Sequence, residues 1–254
     1  MSFVVGGSST ERTVVVTGGS RGWGRAIVRR YAAPGTTIVL GFASNAKDAK
    51  EAAAQATDRG AEVVLVQGDV SDAGVIKEIS DAVAGGPPLN ALIHNAFYKH
   101  SMAPLDLADE DFDRAMDIGP KALLNLVRAC LPYFPPSGGH IVSTGSPGTH
   151  RLFDIRGSWY FPMAAAKGAL EVAIRYLAVD LGPRKITVNG VAAGFIENDN
   201  VAPSTFQERL GAKTPLRGLV PPDKLAEVVH FLGSDAGGWV TGQIVITDGG
   251  FSLI

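Results

Sequence analysis

Hydrophobic and polar positions alternate along this chain in two distinct periods. Residues 13–17 read TVVVT, a β-branched run with no polar interruption, as expected of a strand buried on both faces. A helical pattern follows over 22–33, then another apolar run over 36–42 and an alanine-rich, charged stretch with helical spacing over 45–59. Valine and leucine return at 62–67, with a helix expected over 72–84 and a strand over 91–94. Further on, the pattern predicts helices across 109–133, a strand at 140–144, a long helix over 162–181 and a strand at 186–191. Two helices near 204–211 and 222–232 precede a last strand at 243–247. Seven strands with helical crossovers predict an α/β fold: a Rossmann-like, doubly wound, seven-stranded parallel sheet in a single domain over 13–254. Residues 1–12 read as a mobile tail, and in such sheets ligands bind beyond the carboxyl ends of the strands.

Composition narrows the function. Across 254 residues, 23 basic and 25 acidic side chains leave a formal charge of −2, which lacks the electrostatic footprint of a nucleic-acid binder. Cys130 is the one cysteine, so no intramolecular disulfide forms and no thiolate cluster can hold zinc or an iron–sulfur centre. No pair of histidines has a metal-ligand spacing, so no metal is expected; His94 reads as a packed strand-end residue, and His100 and His150 as loop residues. The start lacks a basic region followed by a long apolar stretch, and no later run reaches the ~20 apolar residues of a membrane helix. The expectation is a cytoplasmic protein without membrane contact.

The candidate chemistry begins at TGGSRGWG, residues 17–24, between the first strand and its helix. A turn without Cβ atoms lets backbone N–H groups approach a pyrophosphate, and the positive end of the helix dipole favours the anion. An ordinary glycine turn is the alternative, but this position in the first βα unit favours a nucleotide. At the end of the second strand, Phe42, Ala43, Ser44 and Asn45 offer no carboxylate for ribose hydroxyls, while Arg21 provides a cation for a 2′-phosphate. NADPH is therefore favoured over NADH, with a solvated Arg21 as the competing reading.

These motifs together resemble the short-chain dehydrogenase/reductases over essentially the whole chain from Thr13 to Ile254. TGGSRGWG looks like that family's TGxxxGxG turn, and HNAF at 94–97 like its NNAG segment. AAGFIEN at 192–198 resembles the segment that packs on the nicotinamide, and TDGG at 247–250 the usual final strand and turn. The resemblance implies cofactor contacts from Gly18, Ser20, Arg21, Gly22, Trp23, Gly24, Ser44, Asp69, Val70, Asn95, Ala96, Lys167, Gly194 and Ile196. It implies catalytic roles for Lys167 and Ser146. Asp69 could instead cap a turn in GDVSD, and Ser146 could be a turn residue beside Pro147. Family members assemble as dimers or tetramers through two long helices and the C-terminal segment, so a homodimer or homotetramer is implied.

Two departures redirect the expected reaction. The family's YxxxK would need tyrosine where the chain has Met163; Tyr160 instead stands seven residues before Lys167, the spacing of enoyl-thioester reductases. Gly119 occupies the place of an asparagine that serves proton relay in ketone-reducing members. The chain most resembles the enoyl-acyl-carrier-protein reductase III type, also through RYLAVDLGPRKITVN at 175–189 and the ending DGGFSLI. That resemblance implies NADPH-dependent reduction of an enoyl thioester on an acyl carrier protein or coenzyme A. The alternatives are reduction of a ketone or imine intermediate in secondary metabolism, or a dinucleotide-binding protein without catalysis. Proline at 162 predicts Tyr160 just outside the long helix and an extended Phe161; a loop aromatic filling the cleft is the bland reading of Tyr160. Phe153, Trp159, Phe161, Phe195 and Phe206 are expected around a substrate tail or as core filling, under a substrate lid near 197–218.

Overall fold

A computed structural model describes residues 11–151, 160–197 and 205–254. The strands are β1 (Arg12–Thr17), β2 (Thr36–Phe42), β3 (Glu62–Gln67), β4 (Leu89–His94), β5 (Gly139–Gly145), β6 (Ile186–Ala193) and β7 (Ile244–Thr247). They form one parallel sheet in the order β3-β2-β1-β4-β5-β6-β7. The helices are α1 (Gly22–Tyr31), α2 (Ala46–Thr57), α3 (Ala73–Ala84), α4 (Asp109–Met116), α5 (Ala122–Cys130), α6 (Phe161–Leu181), α7 (Thr205–Lys213) and α8 (Pro222–Leu232). The expected doubly wound sheet is the observed one. Of the expected tail, residues 1–10 lie outside the described residues, while Arg12 already pairs with Thr36 in β1.

The valines of β1 explain why the fold closes around it. Successive strand side chains point to opposite faces. Val15 accordingly joins a core with Val39, Leu92, Leu123 and Leu170, while Val14 and Val16 join a core on the other face with Ile27, Tyr31, Ala52 and Val229. All three valines are fully buried, which an uninterrupted apolar strand requires. The edge strand β3 alternates exposed and partly covered positions instead.

Two local features differ from expectation. Phe161 is helical rather than extended: the Ala164 amide donates to the Tyr160 carbonyl, so the first helical bond spans Phe161 and Pro162. Pro162 has no N–H to lose in a first turn, and its ring fits there. The stretch over 109–133 is broken between α4 and α5 by a wide turn, Asp117–Lys121, where Gly119 leaves helical geometry at φ −82°, ψ −108°. Pro120 withholds the amide that a regular helix would use there. Among the described residues, no helix is long and apolar enough to cross a membrane.

Candidate active site

The strand order reverses between β1 and β4, which opens a crevice at their carboxyl ends. The glycine turn lines it. Gly18 and Gly22 adopt positive φ, +65° and +53°, and a Cβ on Gly24 would stand 2.0 Å from the Gly18 carbonyl oxygen. The third glycine therefore lets α1 pack onto the turn, and a Cβ on Gly22 would meet open space. Asn95 staples the turn to β4: its Nδ2 donates to the carbonyls of Thr17 and Gly18, each at 3.1 Å. The amides of Asn95 and Ala96 donate to Thr17 Oγ1 at 3.0 and 3.1 Å. Thr17 was not singled out from the sequence, although it directly precedes the glycines.

The residues present fit a dinucleotide. Arg21 precedes α1 without a side-chain cap bond, and the first turn of α1 holds no acidic residue, so the positive helix end is not neutralised from within. Trp23 carries a buried indole Nε1 without a hydrogen-bond partner, a donor left over at the crevice end of α1. Arg21, Ser44 and Asn45 are exposed. Asn45 is occupied as the cap of α2, accepting from the Asp48 amide. Arg25, which sequence reasoning passed over, braces the turn by donating to the Ser20 carbonyl at 3.0 Å and pairing with Glu51 at 3.1 Å.

Asp69 does more than the sequence required of it. Its Oδ1 accepts from the amide and hydroxyl of Ser71, the turn-cap reading, while Oδ2 pairs with Arg114 of α4. Partial burial pushes its pKa upward, but the Ser71 and Arg114 bonds outweigh this and hold the carboxyl below its ordinary value. Val70 is buried in the core, and Gly194 lies where a Cβ would come within 2.7 Å of Asp248 Cβ. Ile196 and Trp23 each pack against a small cluster of Ala193, Val220 and Leu225.

Tyr160 caps α6, in a parallel bridge with Met102. Met163 and Lys167, four residues apart, share one side of the helix, while Tyr160 stands just before it with φ −106°, ψ 33°. Lys167, 5% exposed, donates from Nζ to the Thr144 carbonyl at 2.6 Å and lies 5.8 Å from the centre of the Phe97 ring. Burial lowers its pKa to about 7. Met163 and Lys167 line a cavity of about 10 Å³ with Phe97, Tyr98, Ala115, Gly119 and Ala166. Gly119 packs closely there: a Cβ would approach Ala166 Cβ to 3.2 Å.

Ser146 Oγ accepts from the Gly148 amide at 3.2 Å, at the head of a short turn, Pro147–Thr149. His94 is a core residue, as expected: its ring nitrogens meet Ser143 Oγ and the Ile118 carbonyl, and burial, aided by the Lys167 charge, lowers its pKa to about 3. His150 meets Glu171 at 3.0 Å. His100 Nε2 comes within 3.3 Å of Asp111 Oδ2, in an ion-pair contact without hydrogen-bond alignment, while Tyr98 donates to Asp111 Oδ1 at 2.7 Å. Phe161 stacks on Phe112, and Phe195 meets Phe251 edge-on. Phe153 and Trp159 lie outside the described residues, as does the side chain of Phe206.

A family model described as "Enoyl-(Acyl carrier protein) reductase" matches residues 18–252, nearly the whole sheet and both halves of this site. The chain belongs to the short-chain dehydrogenase/reductase family. Within that family it is 29% identical over 252 residues to the 1-cyclohexenylcarbonyl-CoA reductase of Streptomyces collinus, covering 94% of this chain and 86% of that protein. It is 31% identical over 258 residues to an NADPH-dependent aldehyde reductase-like protein, chloroplastic, of Arabidopsis thaliana, covering 94% of each. The solved structure of the landomycin C-6 ketoreductase LanV with bound NADP and rabelomycin superposes with a TM-score of 0.85 at 29% identity, covering 98% of this chain and 99% of that one. This protein is thus an oxidoreductase of the short-chain dehydrogenase/reductase type.

Proposed function

We propose that this protein reduces the α,β-double bond of an enoyl thioester, carried on an acyl carrier protein or coenzyme A, with NADPH as reductant. The observation that carries the reading is the phenol at the N-cap of α6, seven residues before a buried lysine, with Met163 beside that lysine in the cavity wall. Similarity to a reductase named for a cyclohexenylcarbonyl-CoA substrate supports the same class. Gly18, Ser20, Arg21, Gly22, Trp23, Gly24, Ser44, Asp69, Val70, Asn95, Ala96, Gly194 and Ile196 would form the cofactor crevice, with Arg21 toward a 2′-phosphate. Lys167 would leave Thr144 to hold ribose hydroxyls.

Bound NADPH supplies a hydride to the β-carbon. Negative charge then builds on the thioester carbonyl oxygen two carbons away, and stabilisation counts only where that charge appears. Tyr160 is the donor for this oxygen, set further along the chain from Lys167 than a ketone reductase would need, and a proton from solvent at the α-carbon completes the saturated thioester. Ser146 is a second donor: its Oγ accepts from Gly148, which leaves its own proton for the substrate. The segment from 197 to 218, of which 198–204 lie outside the described residues, is assigned as the lid. Beside it Ile196 bridges Val220 and the Val220 amide donates to the Phe195 carbonyl at 2.8 Å, and the Leu216 amide donates to the Gly249 carbonyl at 3.2 Å.

The assay is NADPH oxidation with crotonyl and longer trans-2-enoyl thioesters, on coenzyme A and on acyl carrier protein, beside matched 3-ketoacyl thioesters. Turnover of the enoyl series is expected; consumption of the ketones alone would overturn the reading. A ketone substrate is the second reading, favoured by the near-complete superposition on a ketoreductase. A homodimer or homotetramer is proposed through α5 and α6, where Val172, Tyr176 and Val179 are exposed; light scattering tests it.

A further inference from the structure

Glu171 is an acidic side chain only 6% exposed on α6, one turn beyond Lys167, and the chemistry above leaves it without a task. Among the described residues its partners come from or beside the turn that carries Ser146, apart from Arg175 on its own helix at 3.8 Å. Thr149 Oγ1 lies within hydrogen-bond distance of both Glu171 Oε1 and the Ser146 carbonyl, the latter at 2.8 Å. His150 Nε2 meets Glu171 Oε1 at 3.0 Å. A Cβ on Gly168 would touch Thr149 Cγ2 at 3.9 Å, so the turn rests on α6 at two successive levels. Just beyond, Arg151 donates to the Ser252 carbonyl at 3.1 Å.

We infer that Glu171 is a positioning residue: through Thr149 and His150 it fixes the Ser146 turn against the helix that carries Lys167, and so sets where the Ser146 hydroxyl donates. A turn after a strand has few contacts of its own, and a donor displaced by about 1 Å costs on the order of a hundredfold in rate. A buried carboxylate is tolerated only when bonded, and the shorter contacts of Glu171 lead to this turn. The inference rests on the reading of Ser146 as a site residue.

The test combines rates with an observable that needs no substrate. Glu171→Leu and Thr149→Val are each expected to lower kcat about tenfold to a hundredfold, while KM and the NADPH dissociation constant, read by fluorescence titration, stay within about twofold. Glu171→Gln and Thr149→Ser, which keep the hydrogen bond, recover most of the rate. In a Ser146→Ala background the Leu and Val changes should cost nothing further. Hydrogen exchange at the amides of Gly148, Thr149 and His150 should quicken about tenfold or more in Glu171→Leu and stay unchanged across β1. Losses that multiply in the Ser146→Ala background, or unchanged exchange in the turn, overturn the inference alone. A Ser146→Ala enzyme running at the wild-type rate removes Ser146 from the site and the inference with it.

Discussion

The two halves of the crevice are built by different means. On the β1–α1 side the shape is made mostly by main chain, three glycines and a helix end, held to β4 by the side chains of Thr17 and Asn95. On the β5–α6 side it is made by side chains that depend on one another across elements: Lys167 on Thr144, Glu171 on Thr149, and Gly119 yielding to Ala166. The first kind resists an added atom where backbone meets backbone, as at Gly24, because backbone cannot rotate away. The second can exchange one group for another without disturbing the backbone, and the proposed placing of the phenol at Tyr160 rather than at position 163 would use that freedom.

The sharpest break should come on the backbone side. Gly24→Ala places a methyl group where 2.0 Å separates it from the Gly18 carbonyl, and NADPH fluorescence titration should find binding weakened beyond detection. Lys167→Met comes next, with kcat expected to fall by about 10²–10⁴. That variant also carries a stability signature. Burial sets the folded pKa near 7 against 10.5 for the free side chain, so between these values the unfolded chain binds more protons. Denaturant melts of the wild type should therefore gain stability from pH 7 toward pH 10.5 relative to Lys167→Met, and a parallel pair of curves would contradict a buried amine.

Tyr160→Phe is the direct probe of the exchanged phenol. A loss of about 10²–10³ in kcat on enoyl thioesters is expected, with the NADPH dissociation constant unmoved; retained rates would remove Tyr160 from the chemistry. The smallest effect belongs to the exposed rim. Arg21→Ala should shift the ratio of NADPH to NADH efficiency by about tenfold, the scale of one charge-assisted phosphate contact, measured as kcat/KM for each coenzyme.

This asymmetry also explains what the sequence could reveal. The strand runs and the glycine turn are local patterns, and the sheet with its crevice followed from them. Phe161 was misjudged because the bias of a residue before proline gave way to the first helical hydrogen bond. Thr144, Thr149 and Glu171 carried no local signal: each acquires its role only when β5 and α6 meet. Asp69 was legible as a turn cap, but its pairing with Arg114, 45 residues away, was not.

The Asn95 staple has a bearing on how the chain matures. The glycine turn is complete only when a side chain from the fourth strand reaches the carbonyls after the first. A nascent polypeptide stopped short of that strand possesses every glycine yet has no finished grip for a coenzyme. Capture of the nucleotide would thus register assembly of the sheet's centre rather than synthesis of its fingerprint.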